Sequence, residues 1–373
     1  MPALRFQKIL ISDERYESCG VFDVNNDGVL DIVCGAYWYP GPKFDKKYKV
    51  GPVKAEGEYF DDFSTIAMDV NGNGYQDFVT GGWWGGNVRW RENPQGDPQK
   101  EWITHEIGKT GNVETTRAWD VDGDGQLEIV PNTPSHPQKV FKLVRDRAGK
   151  GTGVFTEHVL YEKGLGHGLG FGDVDGDGRG ELLFAKGYLK APSGSPAEIL
   201  AKPWEFHPVW DLGSASVPIL CVDLNGDGVN ELIVGQAHRY GLDWFEPKKS
   251  ATGTVTWIKH PIDPFNSQYH DLIWADLDGD GQCELITGKR YRAHCGRDPG
   301  EYDGVGIYYF KWTGESFAKQ VIDYGPVREG KGAGIHFQVV DLDGDGRLDI
   351  VAPGKDGLVW FKNLGFAENM GDV

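Results

Sequence analysis

Asp276-Leu277-Asp278-Gly279-Asp280-Gly281-Gln282-Cys283-Glu284 decides the fold of this 373-residue chain. Three carboxylates stand at alternate positions, a glycine permits a tight turn, and a fourth carboxylate follows at the ninth position. The pattern Asp-x-[Asp/Asn]-x-[Asp/Asn]-Gly-x-x-[Asp/Glu] opens seven times, at Asp23, Asp69, Asp120, Asp173, Asp223, Asp276 and Asp341. The steps are 46, 51, 53, 50, 53 and 65 residues, so seven similar units fill the chain and leave nothing for a second domain.

Each motif lies between two short β-prone segments, the second reading Leu30 to Val33, Glu231 to Val234 or Leu348 to Val351. A third strand with a recurring aromatic follows, as in Val88-Arg89-Trp90 and Leu358-Val359-Trp360-Phe361. A fourth reads Trp102-Ile103-Thr104-His105 or Trp257-Ile258-Lys259-His260. Four antiparallel strands per unit predict an all-β fold, a seven-bladed β-propeller forming one domain over 1–373. The blades open near residues 16, 62, 113, 166, 216, 269 and 334. Residues 36–63 and 188–203 read as long, Pro-rich connections in place of third strands. Blade 7 offers two strands after its motif and then ends. Residues 5–11 match the fourth-strand pattern and are expected to complete that blade, closing the ring and removing an open edge.

Composition agrees with a turn-rich β protein: 54 Gly, 3 Met, and 13 Trp, 15 Tyr and 18 Phe to build a core. A formal charge of −18, without a basic patch among aromatics, argues against nucleic acid. The lack of an 18-residue apolar run argues against membrane insertion. The cysteines (Cys19, Cys34, Cys221, Cys283, Cys295) form no CxxC pair and read as small buried hydrophobes. The N-terminus lacks a signal peptide's apolar core, so the sequence as it stands reads as cytoplasmic, or as secreted if a leader has been removed.

The acidic loops present hard oxygen ligands suited to calcium. The sets are Asp23, Asn25, Asp27 and Asp31; Asp69, Asn71, Asn73 and Asp77; Asp120, Asp122, Asp124 and Glu128; Asp173, Asp175, Asp177 and Glu181; Asp223, Asn225, Asp227 and Glu231; Asp276, Asp278, Asp280 and Glu284; and Asp341, Asp343, Asp345 and Asp349. An EF-hand is the rival reading. It needs a Glu at position twelve, where this chain has Cys34, Thr80, Pro131, Phe184, Val234, Thr287 and Ala352. Up to seven structural Ca²⁺ ions are therefore expected, with the blade 2 set the weakest because only Asp69 and Asp77 are charged.

The repeat closely resembles the FG-GAP or VCBS repeat of integrin-type propellers. That resemblance implies a calcium loop in each blade and a first strand lining a central channel. Residues just before the first strand and just after the second would then share the face opposite the loops. The candidates there are His167, His270 and His336 ahead of their motifs, with Glu114 and Glu17 at the same register as His167 and His270. Following second strands come Trp38, Trp83, Trp84, His136, Tyr188, His238 and Tyr291, with the cations Arg117, Lys186, Arg239, Lys289, Arg290 and Lys355 nearby. His294 sits in an insertion, and His105, His158, His207 and His260 recur in the outermost strand and read as rim packing. Insertions 36–63, 188–203 and 291–303 are expected to wall a cleft.

Aromatic faces beside polar groups suit sugar rings, so a carbohydrate is the expected ligand. His, Lys and Tyr supply bases for abstracting a proton beside a carbonyl, and a cation would hold the developing charge. The catalytic candidates are His167, His270, His336, His238, Lys186, Lys289 and Tyr188. His167, His270 and His336 are further candidates for holding one additional, catalytic divalent metal. Gly334-Ile335-His336 ahead of Asp341-Leu342-Asp343-Gly344-Asp345-Gly346 is similar to the pattern of aldos-2-ulose (anhydrofructose) dehydratase propellers, and ulvan lyases share related repeats. The resemblance implies a carbon–oxygen lyase or dehydratase. A non-catalytic carbohydrate- or protein-binding propeller, or a glycoside hydrolase using Glu17 and Glu114, stands as the alternative.

Overall fold

The computed structural model describes residues 3–366 and contains seven four-stranded antiparallel sheets. What makes each sheet a hairpin-led unit is the acidic turn between its first two strands. In all seven, the first Asp accepts a hydrogen bond from the backbone N–H of the glycine five residues on, at 2.8–3.0 Å. Those glycines have φ between +82° and +89°, a conformation that costs a residue with a Cβ and costs glycine nothing. The ninth-position carboxylate is buried in every blade. In blades 1 to 6 it accepts the N–H of the motif's second residue at 2.8–3.1 Å. The carboxylates thus satisfy turn donors that the strands themselves leave unpaired.

The second strand of each blade is buried from end to end, as in Asp31–Cys34, Glu181–Phe184 and Asp349–Ala352. Such strands read as continuous apolar runs because both faces meet a neighbouring sheet. Seven hydrophobic clusters result, one between each pair of neighbouring blades. Trp38, for instance, packs with Phe22 of its own blade and Phe78 and Trp102 of blade 2.

Leu4–Ser12 pairs antiparallel with Leu358–Phe366, placing Ile9 opposite Trp360, so the N-terminal strand is the outermost strand of the seventh sheet. Tyr16 and Cys19 of blade 1 pack with Val351 and Leu358 of that sheet, and Ser18 bridges His336 in parallel. The two connections read as lacking third strands differ from expectation. Tyr37–Tyr39 and Gly187–Lys190 are third strands, only three and four residues long. Their brevity, with prolines close behind, hides the alternation on which the sequence reading relied. Residues 188–203 also hold the helix Pro196–Leu200, started by a Ser195–Glu198 capping box.

Deleting residues 1–12 should expose the edge of Leu358–Phe366 and lower the melting temperature by on the order of 5 °C or more. An unchanged melting curve, followed by circular dichroism, would contradict the pairing's contribution.

Candidate functional site

The residues six positions before the motif Asp converge around the axis, on the face away from the acidic turns. Glu17, Glu114, His167 and His270 all hold this position. Arg290, at the end of the second strand of blade 6, links them. Its Nε donates to Glu17 Oε1 at 2.8 Å, and its Nη1 donates to Glu114 Oε1 at 3.3 Å and to His270 Nε2 at 3.0 Å. Lys355 closes the other side of Glu17 at 2.9 Å. A second pair crosses the axis below: Arg117 of blade 3 donates to Asp271 of blade 6 at 2.7 Å, and Asp271 accepts the Phe337 N–H of blade 7.

Burial would lift both glutamates, but their neighbours win. Arg290 and Lys355 hold Glu17 below the ordinary carboxylate range, and His167 and Arg290 do the same for Glu114. The imidazoles move the other way. Burial pushes His238 down to about 4 and, with the adjacent Arg290, takes His270 well below its usual value. Neutral rings near neutral pH follow.

Glu114, His167, His238 and His270 bring four ligand atoms within 4.8 Å of one another. Each imidazole is anchored through Nδ1: His167 to the Ala215 carbonyl at 2.6 Å, His238 to Asp298 at 3.1 Å, and His270 to the Gln268 carbonyl at 3.5 Å. With Nδ1 turned outward, Nε2 is the ring atom left to face Glu114 on His167 and His270, and on His270 it already accepts from Arg290 Nη1. His167 Nε2 is buried, has no hydrogen-bond partner, and lies 3.4 Å from Glu114 Oε1. A buried ring nitrogen without a partner, facing a carboxylate oxygen, marks a place for a cation. Outer acceptors that fix ring orientation are also what histidine metal ligands require.

Beside this cluster lies a cavity of about 250 Å³ lined by Tyr59, Phe63, Trp83, Trp84, Arg290 and His294, among others. Tyr59 and Trp84 pack with ring centroids 5.0 Å apart. Two insertions meet over it. Arg292 holds Glu58 through two hydrogen bonds of 2.7 and 2.6 Å, tying residues 291–303 to the hairpin Ala55–Glu56 and Tyr59–Phe60. His294 is exposed, stacks on His238 at 3.9 Å, and shares Asp298 with it, Nδ1 to Oδ1 at 2.8 Å.

Other sequence candidates lie elsewhere. Trp38 is core. Arg117 is buried in the axial pair, and His336 faces the Cys19 carbonyl at 3.2 Å instead of joining the histidine cluster. Lys289 is buried, donating to the carbonyls of Gly300 and Asp303 inside the insertion it stabilises. Lys186 pairs with Asp211 and is exposed, as is Arg239, while Tyr291 is partly buried. His136 packs against Gly111. Tyr188 stacks on His207 and lines a different cavity of about 520 Å³ beside the blade 4 turn. The rim histidines pack on aromatics, His105 on Trp90 and His260 on Trp244. Sequence reading missed Tyr59, Asp298 and the role of His294, because insertions have no register in the repeat.

A family model described as FG-GAP-like repeat matches residues 69–130 and 223–287, each stretch running from a motif Asp to the next blade's second strand. Those two stretches are FG-GAP-like repeats. No curated protein matches the sequence. Among solved structures, BBS1N in complex with ARL6DN is similar with a TM-score of 0.53 at 10% identity, over 97% of this chain and 96% of that one. A lead-soaked crystal of the same complex gives 0.51, also at 10% identity, over 95% and 94%. An auxiliary nutrient binding protein from Bacteroides thetaiotaomicron gives 0.45 at 11% identity, over 96% and 77%. For the first two, the likeness is one of fold.

Within this propeller, replacing Glu17 by Gln leaves Arg290 and Lys355 buried with one countercharge fewer. Urea unfolding should register a loss of roughly 3–5 kcal/mol, whereas a loss below about 1 kcal/mol would mean the network carries little.

Proposed function

We propose that this propeller is a metal-assisted carbon–oxygen lyase or dehydratase acting on a carbohydrate at the face opposite its acidic turns. One observation carries the reading: the unpartnered Nε2 of His167, buried 3.4 Å from Glu114 Oε1, with His238 and His270 completing the group. Three imidazoles and one carboxylate are a donor set suited to Zn²⁺ or a similar divalent ion once Arg290 releases His270 Nε2. When bound, such an ion would polarise a carbonyl or carboxylate oxygen of the sugar.

The chain's own residues supply the rest. Trp83, Trp84 and Tyr59 offer flat apolar surface to the C–H face of a sugar ring. Arg290 and Arg297 line the same cavity and favour an anionic substrate or a developing enolate. His294, oriented by Asp298 and open to solvent, is placed to act as the base. The proton beside the carbonyl passes to its Nε2, the C–O bond on the next carbon breaks, and the leaving oxygen takes a proton from water. A hydrolase reading receives no such support. Glu17 and Glu114 are both held ionised, so neither offers the raised pKa of a general acid.

With zinc added, uronate polymers and keto-sugars should yield an unsaturated, ultraviolet-absorbing product. His294→Ala should lower kcat by about 10²-fold or more while zinc and sugar still bind, and His238→Ala should abolish zinc binding as well. A panel that binds but never gives the chromophore would favour a non-catalytic sugar-binding propeller and sink the lyase reading.

A further inference from the structure

The acidic turns are of two kinds, and the difference is written in the third strand. The residues paired with the position after each ninth-site carboxylate are Tyr39, Arg91, Phe141, Leu189, Phe245, Phe310 and Phe361. The next residue along is Pro40, Glu92, Lys142, Lys190, Glu246, Lys311 and Lys362. Lysine stands there in blades 3, 4, 6 and 7. Those are the blades whose third motif residue is Asp (Asp122, Asp175, Asp278, Asp343); blades 1, 2 and 5 have Asn25, Asn71 and Asn225 instead. The match is complete over seven blades.

The geometry gives the reason. Lys142 Nζ lies against Asp122, 2.7 Å from Asp124 and 3.1 Å from Glu128, touching three of the four carboxylates of its turn. Lys311 does the same with Asp278, with Asp280 at 2.9 Å and Glu284 at 3.4 Å. Lys190 lies against Asp175 and 2.7 Å from Asp177, and Lys362 lies against Asp343. In blade 2 the corresponding Glu92 accepts from Asn71 Nδ2 at 3.1 Å, adding an anion to a turn poor in charge. Taking each turn with its third-strand residue, the formal charge is −3 in six blades and −4 in blade 5.

Calcium takes oxygens at about 2.3–2.6 Å, so it and an ammonium gripping the same carboxylates cannot share a turn. The calcium that the repeat family implies for every blade could enter the turns of blades 3, 4, 6 and 7 only by displacing the lysine. We propose that in these four blades the lysine ammonium is the resident cation, clamping the hairpin without calcium and excluding the ion. At most the three lysine-free blades are left for calcium.

Equilibrium dialysis of the metal-free protein against calcium at about 0.1 mM tests this directly. The expected count is three or fewer per chain. It should rise by one in each of Lys142→Gln, Lys190→Gln, Lys311→Gln and Lys362→Gln, where calcium should also restore the melting temperature lost by the substitution. Each single variant keeps six turns intact, and near-ultraviolet circular dichroism checks its fold. More than three ions on the unaltered chain, or a count that no lysine substitution raises, would overturn the proposal.

Discussion

Everything in this molecule depends on a carboxylate folding back onto the backbone of its own turn. Seven times, an Asp side chain takes up a glycine N–H that a sharp hairpin would leave unsatisfied. The ninth-position carboxylate takes up the N–H of the motif's second residue in a bond that is buried in blades 1, 2, 3, 5 and 6. An unpaired buried donor costs about 1–3 kcal/mol, so the motif removes a penalty that would otherwise recur around the ring. The arrangement also crowds negative charge at each turn, and four lysines from the neighbouring strand answer it. Committing the acidic residues to one face leaves the other face free of the repeat's demands.

On that free face the chain does something costly. Glu17, Arg290, Glu114 and Lys355 are buried charges, and desolvating them is repaid only through close pairing and hydrogen bonds. Blades 1, 3 and 6 are tied through this network, while Arg117 and Asp271 join blades 3 and 6 again. The rigid setting fixes His167, His238 and His270 around Glu114 without the reorganisation that a flexible loop would need.

Much of this was legible in the residues. The spacing of the Asp-rich motif implies the blade count, and the apolar runs after it mark the second strands. The register six residues before the motif picks out Glu17, Glu114, His167 and His270, which the structure brings together. His336, one residue out of that register, turns toward Cys19 instead. The register after the second strand was less reliable, since it mixed His238 and Trp84 with Trp38, whose side chain is consumed by the core between blades 1 and 2. Tyr59, His294 and Asp298 had no such guide. Their positions follow from the ion pair between Arg292 and Glu58, a contact between residues 234 apart in sequence. Repeats reveal what they repeat; insertions reach their places through tertiary contacts that no local pattern encodes.

The division of labour between the two faces can be tested in one crystal. An anomalous-difference map at the zinc edge, from crystals soaked in zinc, should show a peak bounded by Glu114, His167, His238 and His270, with their side chains as ligands. A map with zinc only at the acidic turns, or with nothing between those four residues, would contradict the account.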